Sequence, residues 1–231
     1  MQRHSLRSLL RFLFSLLSRQ DIQGIEHLPL QGGCLLVTNH FSRLDPPLIF
    51  TLIEREDATG LVADKYLNNP VIHWIVNQVN GIWINRETAD FQALRTAVNY
   101  MQAGGMLGIA PEGTRSQNGE MLPAKTGAAY LVDRARVPIV PVGVWGTEVA
   151  ANQMLRLKRP ILHVRIGAAF NLPPVERRHR DVDLQRNTDE IMCRIAALLP
   201  TRYHGAYANH PRLAELYAGQ TTSAATAPVP L

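Results

Sequence analysis

Short apolar runs alternate with longer amphipathic ones along the chain. CLLVTNH (34–40) is almost wholly apolar or β-branched until it ends in Asn39 and His40, which predicts a strand buried on both faces. TGLVADK (59–65), GIWIN (81–85), GMLGIA (105–110), VPIVPVGVWG (137–146) and ILHVRIGAAF (161–170) read as further strands, and DIQGIEHLPLQGG (21–33) as a short strand and turn. Between them lie helical segments. DPPLIFTLIER (45–55) opens on an aspartate and two prolines, a good helix start. PVIHWIVNQVNG (70–81) is a second. ETADFQALRTAVNYMQAG (87–104) puts Phe91, Leu94, Val98 and Met101 on one face and stops at Gly104. AKTGAAYLVDRAR (124–136) and NTDEIMCRIAALLP (187–200) complete the series. No repeat interrupts it.

This alternation predicts one α/β domain: a mixed, largely parallel sheet flanked by helices, over residues 21–215. Ligands of such sheets bind beyond the carboxyl ends of the strands. Asn39–His40 and PEGTR (111–115) each sit just past an apolar strand, which makes them site candidates.

Residues 1–20 form a separate element, MQRHSLRSLLRFLFSLLSRQ. Arg3, Arg7 and Arg11 are spaced by four and share a helix face. The helix packs on the domain or lies on an anionic membrane surface; a targeting segment is the third reading. No apolar run reaches the ~20 residues that cross a bilayer. Residues 216–231 end in QTTSAATAPVPL and are expected to be disordered.

The 231 residues carry 24 basic and 19 acidic side chains, a net charge of +5 and a pI near 9.6, which favours an anionic partner. The basic clusters RLKR (156–159) and RRHR (177–180) lack interleaved aromatics, so solvated charge or lipid headgroups suit them better than nucleic acid. Cys34 and Cys193 are far apart in apolar settings and read as buried free thiols. No zinc spacing, phosphate loop, nucleophile elbow or His-Glu-x-x-His occurs, and no metal is expected.

His40 and Asp45 allow two readings. Asp45 caps the next helix and His40 is a turn residue, or the loop turns Asp45 back to hold one imidazole nitrogen and leave the other as a base. In APEGTRSQNG, Glu112 stands beside a glycine, and Thr114, Arg115 and Ser116 are good phosphate or oxyanion partners. Lys125 opens a helix and Arg86 ends a short strand. Cations and a His/Asp pair at element ends point to a phosphorylated substrate and base-assisted transfer.

Together these blocks resemble the phospholipid/glycerol acyltransferase family, the lysophosphatidic-acid acyltransferases and their glycerol-phosphate relatives. NHFSRLD (39–45), GIWINR (81–86), PEGTRS (111–116) and VPIVPV (137–142) match family blocks in order. The first and third are specific; the second is loose at Asn85, and the last alone is weak. The resemblance implies a glycerol-3-phosphate acyltransferase-like fold. It implies His40 as the general base on the acceptor hydroxyl, with Asp45 orienting it and no covalent acyl-enzyme. Arg86 and Arg115 would hold the acceptor phosphate, with Lys125 as a third contact. Arg86, Glu112, Gly113, Thr114 and Arg115 would form the acceptor site, and Asn39 and Ser116 would belong to the same substrate motif; Glu112 would fix the arginines or bind a glycerol hydroxyl, and amides near Gly113 would face the oxyanion. Pro138 and Pro141 would be rigid fold elements or line the acyl site.

The implied reaction moves an acyl chain from acyl-CoA or acyl carrier protein, as co-substrate and with no cofactor, to 1-acyl-sn-glycerol 3-phosphate. Glycerol 3-phosphate or another hydroxy acceptor is the alternative. The implied place is peripheral, on the cytoplasmic face of an anionic membrane. A non-catalytic binding module for anionic membranes or nucleic acid is the reading from a different class. It needs basic residues but has no use for a base-and-orienter pair.

Overall fold

A computed structural model describes residues 3–85 and 90–225. Its strands are β1 (Arg19–Gln23), β2 (Cys34–Thr38), β3 (Ala58–Ala63), β4 (Ile82–Ile84), β5 (Met106–Ile109), β6 (Ile139–Trp145) and β7 (Ile161–Ile166). The helices are α1 (Arg3–Leu17), α2 (Asp45–Leu52), α3 (Pro70–Gln78), α4 (Phe91–Gln102), α5 (Gly127–Ala135), α6 (Thr147–Leu155), α7 (Arg180–Ala196) and α8 (Pro211–Ala225). Single-turn 3-10 segments fill several connections.

The strands form one sheet in the order β1-β7-β6-β2-β5-β3-β4. β6, β2, β5, β3 and β4 run parallel. β7 runs antiparallel to β6, and β1 runs parallel to β7, so one edge of the sheet is reversed. The central strands β2 and β6 are buried along their whole length, as their unbroken apolar runs require. Leu35, Val37 and Ile139 pack against α4, α5, α7 and α8 on one face. Cys34, Leu36, Val140 and Val142 pack against α1, α2 and α6 on the other. The result is a three-layer α/β sandwich.

Two helices were not anticipated. α6 is short and weakly amphipathic, with only Thr147 and Ala150 buried, so no apolar stripe marked it. α8 covers residues 216–225 of the stretch expected to be disordered; residues 226–231 lie outside the described part. Cys34 and Cys193 are buried free thiols, and burial pushes the first up to about 11 and the second to about 12.

Pro141 sits in the middle of the sheet, where a missing N–H would ordinarily break a ladder. It pairs with Val37 of β2 at the point where the antiparallel ladder to β7 ends, and its carbonyl accepts from Gly167 N–H at 2.9 Å. The Pro138 carbonyl accepts from Leu35 N–H at 3.0 Å. Both prolines are therefore sheet elements.

Candidate active site

Three loops meet at the carboxyl edge of the sheet, following β2, β5 and β6. The first turns sharply after Thr38. Asn39 is fully buried, and its side-chain amide pairs with both backbone groups of Val144, accepting at 2.8 Å and donating at 2.7 Å. This side chain extends the β2–β6 pairing by one rung and holds the next residue clear of the sheet. It is not free to meet a substrate, contrary to the expectation from the motif.

That next residue is His40. Its Nδ1 lies 3.0 Å from Asp45 Oδ2, with Asp45 wholly buried and the imidazole partly open to solvent. The same Oδ2 accepts from the backbone N–H of Phe41 at 2.8 Å and of Ser42 at 2.7 Å. Asp45 Oδ1 accepts from the Thr147 hydroxyl at 2.5 Å. Both carboxylate oxygens are thus satisfied, which keeps the buried carboxylate fixed. With Nδ1 carrying the proton toward Asp45, Nε2 is left with its lone pair, the state a general base needs. Asp45 is the first residue of α2 and Leu44 its N-cap, with no side-chain capping bond, so the cap reading gives way to the geometry in which Asp45 holds the imidazole.

The loop after β5 is locked to His40 through its backbone. Glu112 Oε1 accepts from His40 N–H at 3.0 Å, Glu112 Oε2 accepts from Leu122 N–H at 2.9 Å, and Ser116 N–H donates to the His40 carbonyl at 2.9 Å. Glu112 is only 3% exposed. Burial pushes its carboxyl up to about 7, against the pull of the Leu122 and His40 amides, with Asp45 adding to the rise. Its two oxygens accept from backbone amides and its burial closes it to a glycerol hydroxyl, and among the described residues no ion pair joins it to an arginine. Ser116 is also buried; its hydroxyl donates to Asn118 Oδ1 at 2.8 Å and accepts from Glu120 N–H at 3.1 Å, closing the loop on itself.

The residue types, their order along the chain and this geometry agree with a family match. A family model described as Acyltransferase matches residues 19–145, more than half of the 231 residues. The chain belongs to this acyltransferase family. Among its relatives, the chloroplastic 1-acyl-sn-glycerol-3-phosphate acyltransferase BAT2 of Brassica napus is 31% identical over 133 residues, 56% of this chain and 38% of that protein. The human 1-acyl-sn-glycerol-3-phosphate acyltransferase beta is 33% identical over 133 residues, 54% of this chain and 45% of that one. The chain thus spans about half or less of the length of these relatives. The crystal structure of the 1-acyl-sn-glycerophosphate (LPA) acyltransferase PlsC from Thermotoga maritima superposes with a TM-score of 0.62 at 22% identity, covering 82% of this chain and 79% of that one, and so shares the fold.

Within the acyltransferase loop, Thr114 and Lys125 are exposed and Arg115 is partly so. Gly113 adopts φ +70°, a left-handed turn glycine suits, and the Lys125 stem runs beside it: a Cβ there would stand 3.5 Å from Lys125 Cδ. Lys125 N–H donates to the Pro111 carbonyl at 3.0 Å, so the loop's two ends are tied. Arg86, expected as a phosphate contact, lies outside the described residues.

Sequence reasoning missed Thr147, which falls beyond the family-model match. The Gly146-Thr147-Glu148 step after an apolar strand was its one signal, as a helix start. It also missed the support under the loop: Tyr203 stacks on Phe41 with ring centroids 5.5 Å apart, its carbonyl accepts from Met121 N–H, and the Tyr207 hydroxyl accepts from Ala124 N–H.

Proposed function

We propose that this chain transfers an acyl group from a coenzyme A or acyl-carrier-protein thioester to the free hydroxyl of 1-acyl-sn-glycerol 3-phosphate, giving phosphatidic acid. The acceptor follows the names of the relatives. The observation that carries the chemistry is the 3.0 Å contact of His40 Nδ1 with a carboxylate whose every oxygen is otherwise engaged.

In this reading His40 Nε2 takes the proton of the acceptor hydroxyl as that oxygen attacks the thioester carbonyl carbon. Asp45 steadies the imidazolium that forms. The tetrahedral intermediate collapses with loss of the thiolate, which leaves as the thiol after taking a proton, and no acyl-enzyme forms. Arg115 and Lys125, with Arg86, hold the acceptor phosphate, and Arg115 suits bidentate contact. Glu112 acts at one remove, by fixing the His40 backbone against the loop that carries Arg115 and Lys125.

The test is a thiol-release assay with both donor types against lysophosphatidic acid, glycerol 3-phosphate and other lysophospholipids. Intact protein is expected to release thiol with lysophosphatidic acid, and His40→Ala to lose about 10²–10⁴-fold in turnover. Full turnover by His40→Ala, or no release with any acceptor, refutes the reading.

A further inference from the structure

Helix α1 is turned inside out with respect to charge. Arg3 and Arg7 turn into the protein and the half-exposed Arg11 reaches back to it: Arg7 donates to the carbonyls of Glu54 at 3.2 Å and Arg55 at 3.1 Å and to Glu56 Oε1 at 3.1 Å, and Arg11 donates to the Thr51 carbonyl at 2.7 Å. Arg3 donates to the Ala58 carbonyl, and the Arg3 and Arg7 guanidinium groups lie over the Phe50 ring. The Thr51, Glu54 and Arg55 carbonyls lie at and just beyond the C-terminus of α2, the negative end of its dipole, and that of Ala58 opens β3. Between exposed His4, Ser5, Ser8, Arg11 and Ser15 runs an apolar stripe open to solvent: Leu9, Phe12, Leu13, Leu16 and Leu17, spaced 0, 3, 4, 7 and 8. Phe12 is 60% exposed and Leu16 56%. Arg3 and Arg7 are thus engaged within the protein, and the side of α1 that faces solvent is mainly apolar, with Arg11 partly open at its border.

A second apolar feature adjoins it. In the turn between α6 and β7, Leu155 is 84% and Leu157 96% exposed, with Arg156 and Lys158 exposed beside them. Leu157 has φ +55°, a left-handed conformation that disfavours a branched side chain. Two backbone bonds hold it there, Leu157 N–H to the Met154 carbonyl at 2.9 Å and Lys158 N–H to the Gln153 carbonyl at 2.9 Å. Glycine or asparagine would fit this backbone better, and neither would present an apolar side chain.

The two features are one surface. Arg159 Nη2 donates to the carbonyls of Ser15 and Ser18 at 2.6 and 3.0 Å, and Arg19 N–H donates to the Pro160 carbonyl at 2.8 Å. No acidic residue occurs in 3–19 or 154–161. The surface also reaches the edge of the sheet that carries His40. His163 pairs with Trp145, so Ile161 stands two residues further on, level with Thr147, whose hydroxyl holds Asp45.

We infer that the outward face of α1 and the 155–161 turn form a single docking surface for an anionic lipid bilayer. Phe12, Leu16, Leu17 and Leu157 enter the acyl region, and Arg156 and Lys158 lie at the phosphates. The docking stands without the proposed reaction; only its use, delivery of a lipid acceptor to the His40 edge, rests on that reading.

Flotation of the full chain with vesicles of phosphatidylcholine, alone or mixed with phosphatidylglycerol, tests it. The parent is expected to float with both and more with the mixed vesicles. Leu157→Asn is expected to lose about tenfold in partitioning while its melting temperature holds or rises, because asparagine relieves the left-handed strain. Leu16→Ser with Leu17→Ser is expected to lose at least as much. Arg156→Gln with Lys158→Gln is expected to remove most of the preference for the anionic vesicles while retaining binding to phosphatidylcholine. Thiol release with a short-chain, monomeric acceptor is expected to stay at the parent rate in all three. Parent-like flotation by Leu157→Asn, or no flotation of the parent, overturns the inference. So does a parent dimer in light scattering that becomes a monomer in Leu157→Asn without any vesicle binding, since the occupant is then a second copy of the chain. Failure of thiol release in an otherwise vesicle-binding parent refutes the proposed reaction and leaves the docking surface standing.

Discussion

The Thr147 hydroxyl, on the first residue of α6, donates to Asp45 Oδ1 at 2.5 Å and so fixes, from the end of the neighbouring strand β6, the carboxylate that holds His40. The two residues are 102 positions apart in sequence. Hydrogen bonds to a charged group contribute about 1.5–3 kcal/mol. Thr147→Val is therefore expected to lower kcat about tenfold or more, with the acceptor KM little changed. Thr147→Ser restores the hydroxyl and should recover most of the rate. A purely structural role would instead lower the melting temperature and leave the pH profile of kcat/KM in place.

Asp45→Asn separates charge from geometry. The amide oxygen can accept from Phe41, Ser42 and His40 where Oδ2 does now, and the amide nitrogen can donate to the Thr147 hydroxyl, which is itself able to accept. The fold is expected to survive, with a melting temperature close to the parent's. Turnover is expected to fall by about 10²–10⁴ because the imidazolium loses its counter-charge. Calorimetry beside thiol release reads both quantities.

Glu112 makes a pH prediction whose sign is opposite to that of an ordinary ion-paired carboxylate. Its native value is raised to about 7, chiefly by burial. Between its unfolded value, about 4.3, and 7, the native chain keeps a proton that the unfolded chain has lost. Its contribution to stability is present in full at the acid end of this window and is lost as pH rises from there through 7, by about 4 kcal/mol. Denaturant melts of parent and Glu112→Gln at pH 5 and 8 check this. The difference in stability between the two proteins should change in favour of Glu112→Gln on going to pH 8.

Arg115 is expected to act on the acceptor phosphate. Arg115→Ala should raise the acceptor KM about tenfold or more, as for a lost charge-assisted bond, with a much smaller effect on the thioester KM. Arg115→Lys keeps the charge but not the fork, so it should restore affinity only in part. Equal effects of Arg115→Ala on both substrates would remove Arg115 from the acceptor side.

The alternation of buried strands and amphipathic helices was legible because apolar periodicity is a local property. The runs at 34–38 and 139–145 each had to lie between two layers. His40, Asp45 and the 111–116 block were visible because a polar motif directly after such a strand stands at the edge where ligands bind. Reading motif residues as substrate contacts went too far for Asn39, Glu112 and Ser116. Whether a polar side chain faces a ligand or a backbone amide depends on burial, and burial is set by other elements. The same physics hid α6, α8 and Thr147: weak amphipathicity leaves no stripe, and a hydroxyl at a helix start carries no mark of what it holds.

The sequence by itself determined the layers, the strand ends and the identity of the imidazole and carboxylate, because these follow from residue type and spacing along the chain. Only the tertiary structure decided which groups those side chains meet. It gave Asp45 its fourth partner from beyond the neighbouring strand, turned Glu112 onto the His40 backbone, and set Arg3 and Arg7 inward while leucines of the same helix face out. Each of these is a pairing between distant segments, and its free energy depends on desolvation and approach that no local pattern encodes.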